Sequence, residues 1–243
     1  MNKNMTKKLA WAVGLIVLPL ILQQFGNAWV RIADLTLLYI MLALGLNIVV
    51  GYAGLLDLGY VAFYAVGAFG YALLASPHLT ENFPAIAAMF PQGLHISVWW
   101  AIPLSLLLAA CTGVLLGIPV LKLRGDYLAI VTLGFGEIIR IFMNNLDQPV
   151  NITNGPKGIA NVDPVHMFGV NFAKPPTLFG FEIPSVTLYF YLFIVLLLVT
   201  VLICYRLQDS RIGRAWMAIR EDEIAAKAMG INTRNMKLLA FGM

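Results

Sequence analysis

Long apolar runs constrain the fold of this chain more than any other feature of its sequence. Several of them reach the roughly 20 residues that an α-helix needs to cross the ~30 Å hydrocarbon core of a bilayer. The 243 residues are 60% hydrophobic and only 12% charged, which is more apolar than a water-soluble domain requires. The sequence therefore predicts an all-α polytopic membrane protein.

We expect six membrane-spanning helices and the start of a further one. The apolar tract from Ile32 to Ala75 is interrupted by GYAG at 51–54, so it divides into two spans joined by a tight glycine turn. The predicted spans are 9–22, 32–50, 54–75, 98–120, 127–143 and 185–205. The first of them is expected to stay uncleaved, because no signal-peptide cleavage site follows it. Gly113 and Gly117 have the spacing of a helix-packing face. The last apolar run, 237–243, is too short to span, so either the chain is a truncated part of a longer fold or this terminus packs in another way.

The distribution of Lys and Arg predicts the orientation of these spans. With the N-terminus in the cytosol, twelve basic residues, among them Lys122 and Arg124, lie inside and three lie outside. This asymmetry follows the positive-inside rule, so the basic residues need no nucleic acid to explain them. Loops 76–97 and 144–184 are then external, loop 206–236 is cytosolic, and residues 1–243 form a single transmembrane domain.

The charged stretch 206–237 holds 11 of the 28 charged residues of the chain. A first short helix, capped by Ser210, is predicted to carry four residues on one face: Ile212, Ala215, Trp216 and Ile219. A second helix is predicted to begin at Asp222 and to end at Gly230, and Thr233 is predicted to cap the next helix. Two such helices form either a docking surface or an ordinary loop that lies on lipid headgroups.

Motifs for catalysis or for nucleotide binding do not occur in the sequence. It contains no P-loop, no nucleophile elbow, no His-Glu-x-x-His and no CxxC. Cys111 and Cys204 lie within predicted spans, and the three histidines fall at unrelated spacings, so a metal site is not expected either. We therefore expect a protein that is not an enzyme and that binds no cofactor of its own.

Polar residues within the apolar spans are candidates for a transport pathway, because a charge in hydrocarbon is costly and usually faces a bundle interior or water. Glu137 and Arg140 lie three residues apart on one helix face. They line a translocation route or gate, or they form a self-neutralising pair that pins one helix to another. Asn47 and Asp57 flank the GYAG turn, where they line the inner mouth or cap the hairpin.

Three stretches of the chain carry a family resemblance. They are LNIVVGYAGLLDLGYVAFYAVGAF (46–69), LKLRGDYLAIVTLGFGEIIRIFMNN (121–145) continuing to NITNGPKGI (151–159), and GRAWMAIREDEIAAKAMGIN (213–232). Together they resemble the LivM-type permease subunits of ABC importers for branched-chain amino acids. Asp57 and Tyr60 stand where many members carry Ser and His. In this respect the chain resembles the branch of the family that handles leucine, isoleucine and valine.

The resemblance implies a set of partners and a mechanism. The third stretch is similar to the family's cytosolic coupling loop, with Glu223, Ala225, Ala226 and Gly230 at its Glu-Ala-Ala and following Gly. This favours docking on an ATPase over a loop on membrane lipid. The implied complex lies in the bacterial inner membrane and contains a homologous permease subunit, two cytosolic ABC ATPases that bind ATP, and a periplasmic solute-binding protein. Alternating access would carry the amino acid inward.

Other functions remain open at this point. A secondary transporter or channel for small polar solutes would use charged residues within the spans, and Glu137 is the strongest candidate. A permease for a related substrate, such as urea or a short amide, would share most of the same motifs. A truncated scaffold would insert into the membrane without supporting uptake.

Overall fold

The computed structural model describes residues 3–91, 93–121, 123, 125–167, 169–174, 177–178, 181–182 and 184–243. Lys122 and Arg124, which contribute to the predicted orientation, lie outside these residues. The described chain is mostly helical, as predicted. Its helices are α1 (Lys3–Gln24), α2 (Asn27–Asn47), α3 (Val61–Leu74), α4 (His78–Asn82), α5 (Pro84–Met89), α6 (Val98–Val120), α7 (Asp126–Asn145), α8 (Ser185–Gln208), α9 (Arg211–Glu221), α10 (Glu223–Ala228) and α11 (Thr233–Gly242).

Three helical segments among the described residues are long and apolar enough to cross a membrane. They are Asn27–Tyr52, Val98–Val120 and Ser185–Gln208. Two shorter segments, Gly14–Gln24 and Val61–Leu74, are also apolar. These helices agree with a membrane protein, whereas the count of six spans and the cytosolic N-terminus stay predictions.

The predicted span 54–75 is shorter than expected. Its helix, α3, begins only at Val61, and residues 53–60 form an irregular segment. Gly54 interrupts the helix with a φ of +69°, a backbone conformation that side chains other than glycine rarely adopt. The expected tight turn before it is instead a π-helical turn, Ile48–Tyr52, that extends α2.

The two loops predicted to be external contain more regular structure than the prediction allowed. Loop 76–97 contains α4 and α5, and loop 144–184 contains a 3₁₀ turn and two antiparallel hairpins. The hairpins pair β1 (His166–Met167) with β2 (Val170–Asn171), and β3 (Thr177–Leu178) with β4 (Phe181–Glu182). The description all-α therefore holds for the membrane helices and not for the second loop.

Contacts between these loops test which ends of the helices lie together. Nδ1 of His95 lies 2.6 Å from Oδ2 of Asp163, and the backbone N–H of Asp163 donates to the Ala75 carbonyl at 2.7 Å. Loop 76–97 and Asp163, near the middle of loop 144–184, therefore meet at the C-terminal end of α3. This contact agrees with the prediction that the two loops lie on one side of the membrane.

The chain divides into two compact units, residues 1–43 with 164–203 and residues 44–163 with 204–243. The first has a small core around Val30, Leu37 and Phe190. The second has a larger core in which Trp216 and Val120 are almost completely buried. The single domain expected for 1–243 stays a prediction. Every candidate site residue lies in the second unit.

Within the second unit, α6 packs against α11 through the predicted glycine face. A Cβ atom on Gly113 would collide with the backbone oxygen of Phe241, and one on Gly117 would lie 3.2 Å from the Phe241 Cβ. Ala240 and Phe241 are buried at this contact. The spacing of the two glycines thus allows two helix backbones to approach closely, and this prediction is confirmed.

Candidate functional site

The first helix of the charged stretch, α9, is bound to the core by the face that its sequence predicted. Oγ of Ser210 accepts a hydrogen bond from the Gly213 N–H at 3.1 Å and caps the helix. Trp216 and Ile219 are buried, and the Trp216 indole N–H donates to the Met236 carbonyl at 2.7 Å. Helix α9 is therefore a fixed part of the second unit.

The second short helix, α10, begins one residue after Asp222, the predicted start, which is its N-cap, and it is followed by the predicted terminating glycine. Oδ1 of Asp222 accepts from the N–H groups of Ile224 and Ala225 at 2.8 and 3.1 Å. Gly230 has a φ of +86°, typical of the residue that follows a helix. The predicted cap of the next helix is wrong by one residue, because Asn232 accepts from the Asn235 N–H. Thr233 is instead the first residue of α11.

Helix α10 turns one side to the core and the other outward. Ala226 is buried. Glu223 forms an ion pair with Lys237 of α11, with 2.7 Å between Oε1 and Nζ, and the Lys237 side chain is only 7% exposed. On the outer side Ile224 is 73% exposed and Met229 is 84% exposed, and Ala225 is exposed beside them. Apolar side chains are thus uncovered in the most charged part of the sequence.

Arg220, near the C-terminal end of α9, connects the charged stretch to the end of the α2 span. Its Nη1 donates to the Gly51 carbonyl at 2.6 Å, and its side chain crosses over Gly54 so closely that a Cβ there would collide with it. The carbonyls at the end of a helix lack intrahelical partners, and a guanidinium satisfies one of them here. Arg220 was not predicted from the sequence, because no spacing rule relates it to a carbonyl 169 positions away.

Asp57 lies at the centre of the irregular 53–60 segment and is only 1% exposed. Its Oδ1 accepts from the Gly59 N–H at 2.8 Å and closes a turn, as the capping hypothesis requires. Its Oδ2 is buried without a hydrogen-bond partner of suitable geometry among the described residues. A cavity of about 10 Å³ lies beside it. Asn47, the other flanking residue, lies against the backbone of Gly51.

The 53–60 segment packs directly on the backbone of α7. A Cβ on Gly59 would collide with the Thr132 carbonyl, and a Cβ on Gly136 would lie 3.2 Å from the Gly59 Cα. Oγ1 of Thr132 accepts from the Leu58 N–H at 3.0 Å. Thr132 was also missed by the sequence analysis, although a polar residue within an apolar helix is a recognisable signal for an interhelical contact.

Glu137 and Arg140 form a two-bond ion pair on α7. Nε and Nη2 of Arg140 donate to the two carboxylate oxygens of Glu137 at 2.9 and 2.6 Å. The two side chains are 53% and 65% exposed, and their mutual bonds lie within one helix. They line a groove of about 330 Å³ between α3 and α7. Whether the pair acts in translocation stays a prediction.

The 51–60 region brings the two groups of candidate residues together. Arg220 contacts its beginning at Gly51, and α7, which carries Glu137, contacts its end at Gly59. A continuous set of contacts therefore connects the charged stretch with the groove. Within the part of the chain that the structure describes, no group of three or more His, Cys, Asp or Glu residues could hold a metal ion.

A family model described as the branched-chain amino acid transport system, permease component, matches residues 28–243. The chain is 43% identical over 224 residues to the high-affinity branched-chain amino acid transport system permease protein LivM of Escherichia coli K12, covering 87% of this chain and 48% of that protein. It is 42% identical over 224 residues to the LivM protein of Salmonella typhimurium, with the same coverage. The chain thus spans about half the length of these curated relatives. No solved structure matches it significantly.

Proposed function

Because the chain belongs to the family of permease components of branched-chain amino acid transport systems, we propose that it is the membrane permease subunit of an ATP-driven importer for leucine, isoleucine and valine. The observation that carries this proposal is the exposure of apolar side chains on the outer side of α10. Ile224 and Met229 are exposed there, while the opposite side is fixed by Ala226 and by the Glu223 and Lys237 ion pair. A rigid helix with an uncovered apolar side suits docking in the groove of a partner protein.

The proposed importer contains further subunits, because the family and the relatives are described as permease components of a transport system. It lies in the bacterial inner membrane, with the N-terminus and loop 206–236 of this chain in the cytosol. A homologous permease subunit lies beside this chain, and two cytosolic ABC ATPases bind the ATP. A periplasmic solute-binding protein delivers the amino acid to the external loops 76–97 and 144–184.

Closure of the ATPases reaches the membrane helices through the contacts of α9. Movement of α10 is passed to α9 and α11 through their shared packing and through the Glu223 and Lys237 pair. Arg220 passes it on to the Gly51 carbonyl, and the 53–60 segment passes it to α7. The groove between α3 and α7 then changes its access from one side of the membrane to the other.

The test is uptake by the assembled importer. The two permeases and the ATPases are reconstituted in proteoliposomes, and the binding protein is supplied on the side of the external loops. Radiolabelled leucine should enter only with hydrolysable ATP, and isoleucine and valine should compete whereas urea and acetamide should not. Uptake driven by a proton or sodium gradient without the ATPases, and abolished by Glu137→Gln, would support a secondary transporter instead. A complex that assembles but takes up nothing would indicate a scaffold.

A further inference from the structure

The groove between α3 and α7 has the size and the lining of a small-molecule site. Its volume of about 330 Å³ lies within the ~300–1,000 Å³ typical of ligand pockets. Apart from one polar end it is lined by small and apolar side chains, among them Val61, Ala62, Ala65, Phe69, Leu133 and Met143. Gly59 and Gly136, which also line the groove, are in close contact and hold the 53–60 segment against α7.

The polar side chains that line the groove are Glu137, Arg140 and Asn144, and the position of the two charged ones requires an explanation. They are the twelfth and fifteenth residues of the 20-residue helix α7, where the helix is otherwise apolar. More than half of each side chain is nevertheless exposed. In the span predicted for 127–143, exposure of these charges to hydrocarbon would be costly even for a pair, so the groove would face a water-filled space or a polar occupant.

The pair offers one cation and one anion on adjacent turns of a helix, beside an apolar surface. A free amino acid with an aliphatic side chain has the complementary arrangement, with a carboxylate and an ammonium group on one carbon and a hydrocarbon group next to them. A guanidinium binds a carboxylate through two parallel N–H donors, and a carboxylate accepts from an ammonium group. Charge complementarity therefore selects a zwitterion over an ion or a neutral amide.

We propose that this groove binds the transported amino acid as a zwitterion, with Arg140 contacting its carboxylate, Glu137 its ammonium group, and the apolar lining its side chain. The inference rests on the proposed function and names the substrate contacts of that same chain. In the structure the two residues bind each other, at 2.6 and 2.9 Å, so the two charges neutralise each other. When the substrate binds, each of these hydrogen bonds is replaced by a hydrogen bond to the ligand, so the net charge of the groove stays zero.

The experiment measures protection of a cysteine in the groove. The assembled complex carries Ala65→Cys, with Cys111 and Cys204 replaced by Ser and Ala, and is labelled without ATP by a small thiosulfonate reagent. Leucine at ten times its apparent Kd should slow labelling about tenfold. Leucinamide, which lacks the carboxylate, and 4-methylpentanoate, which lacks the ammonium group, should protect about 10- to 100-fold more weakly. Val114→Cys, on an exposed face of α6, is the matched control and should not be protected.

Variants of the pair decide whether the two charges recognise the ligand. In Arg140→Gln the preference for leucine over leucinamide should disappear, and in Glu137→Gln the preference over 4-methylpentanoate should disappear. If the Arg140→Gln complex does not assemble, Arg140→Lys can replace it. Lysine keeps the positive charge but lacks the two parallel N–H donors for the ligand carboxylate, so the preference for leucine over leucinamide should be intermediate. A merely structural pair would leave both preferences unchanged, and that result overturns the proposal.

Two further outcomes separate this inference from the proposed function. If leucine gives no protection, or if lipid or the second permease alone blocks labelling, the groove is a lipid or subunit contact and the inference fails. ATP-dependent uptake of leucine by that same complex would leave the proposed function standing. Loss of ATP dependence in the unmodified complex would instead remove the proposed function itself.

Discussion

Asp57 illustrates at the scale of one residue how a polar group is used inside an apolar protein. Oδ1 satisfies the Gly59 N–H, a donor that would otherwise be buried unpaired, while Oδ2 has no such bond among the described residues. A buried polar group without a partner is destabilising, so Oδ1 stabilises the fold and Oδ2 destabilises it.

Substitutions of Asp57 should separate these two effects. Asp57→Ala removes the acceptor and should lower the free energy of unfolding by about 1–3 kcal/mol, because the Gly59 N–H stays buried without a partner. Asp57→Asn keeps an acceptor oxygen and replaces the unpaired carboxylate oxygen by an amide, which is less costly to bury. It should be at least as stable as the unmodified protein. Thermal denaturation of the purified complex measures both, and equal losses would show that the turn bond contributes little.

Gly230 gives a second prediction at this scale. A Cβ at this position meets no atom within 4 Å, so the cost of a larger residue is confined to its left-handed backbone, with a φ of +86°. Gly230→Glu should therefore insert into the membrane normally, while its added charge and strain weaken ATPase docking and uptake. Gly158→Glu is the matched control, since Gly158 has a φ of +70° and open space in a loop predicted to be external. Equal effects of the two variants would exclude a specific role for Gly230.

At the scale of elements, α9 is fixed to the core on one side and contacts the end of a membrane span on the other. Trp216 and Ile219 hold it in the second unit, and Arg220 extends from it to the Gly51 carbonyl. Under the proposed coupling, these contacts of α9 would transmit a movement of α10 to the 53–60 segment.

Removal of the Arg220 contact should uncouple ATP hydrolysis from transport. Arg220→Gln shortens the side chain and loses the bond to the Gly51 carbonyl, but it leaves the docking side of α10 untouched. We expect the ATPases to bind and to hydrolyse ATP at near-normal rates while uptake falls about tenfold or more. A change of this size corresponds to a typical coupling free energy of ~1–3 kcal/mol. Arg211→Gln, an exposed arginine at the other end of α9, should transport normally. A proportional fall of both rates in Arg220→Gln would indicate lost docking instead of lost coupling.

At the scale of the whole molecule, the sequence predicted the regular helices well and their interruptions poorly. The span at 98–120 agrees with α6 to the residue, and the two helices of the charged stretch follow from their caps and apolar spacing. Residues 54–60 were predicted to be helical, because their apolar side chains are compatible with both helical and irregular backbone. Arg220 could not be predicted as a contact of Gly51, since that bond depends on how distant segments pack. The role of Glu137 and Arg140 was left open for the same reason.

Orientation in the membrane is the property of the whole molecule that most needs a direct measurement. The contact between Asp163 and loop 76–97 places two loops at one end of α3, and Arg220 places the charged stretch beside Gly51, at the end of the preceding span. The positive-inside rule then predicts that the first end is external and the second cytosolic. These assignments predict opposite accessibilities for Glu81 and Asp209, which are both exposed.

Single cysteines at these two positions test that assignment in a protein from which Cys111 and Cys204 have been removed. A maleimide that cannot cross the membrane should label Glu81→Cys in intact spheroplasts. It should label Asp209→Cys only after permeabilisation. Because both residues lie on exposed surface, unequal labelling reports the side of the membrane and not burial. The reverse pattern would place α10 on the outside, where cytosolic ATPases cannot reach it, and the proposed coupling would then be wrong as a whole.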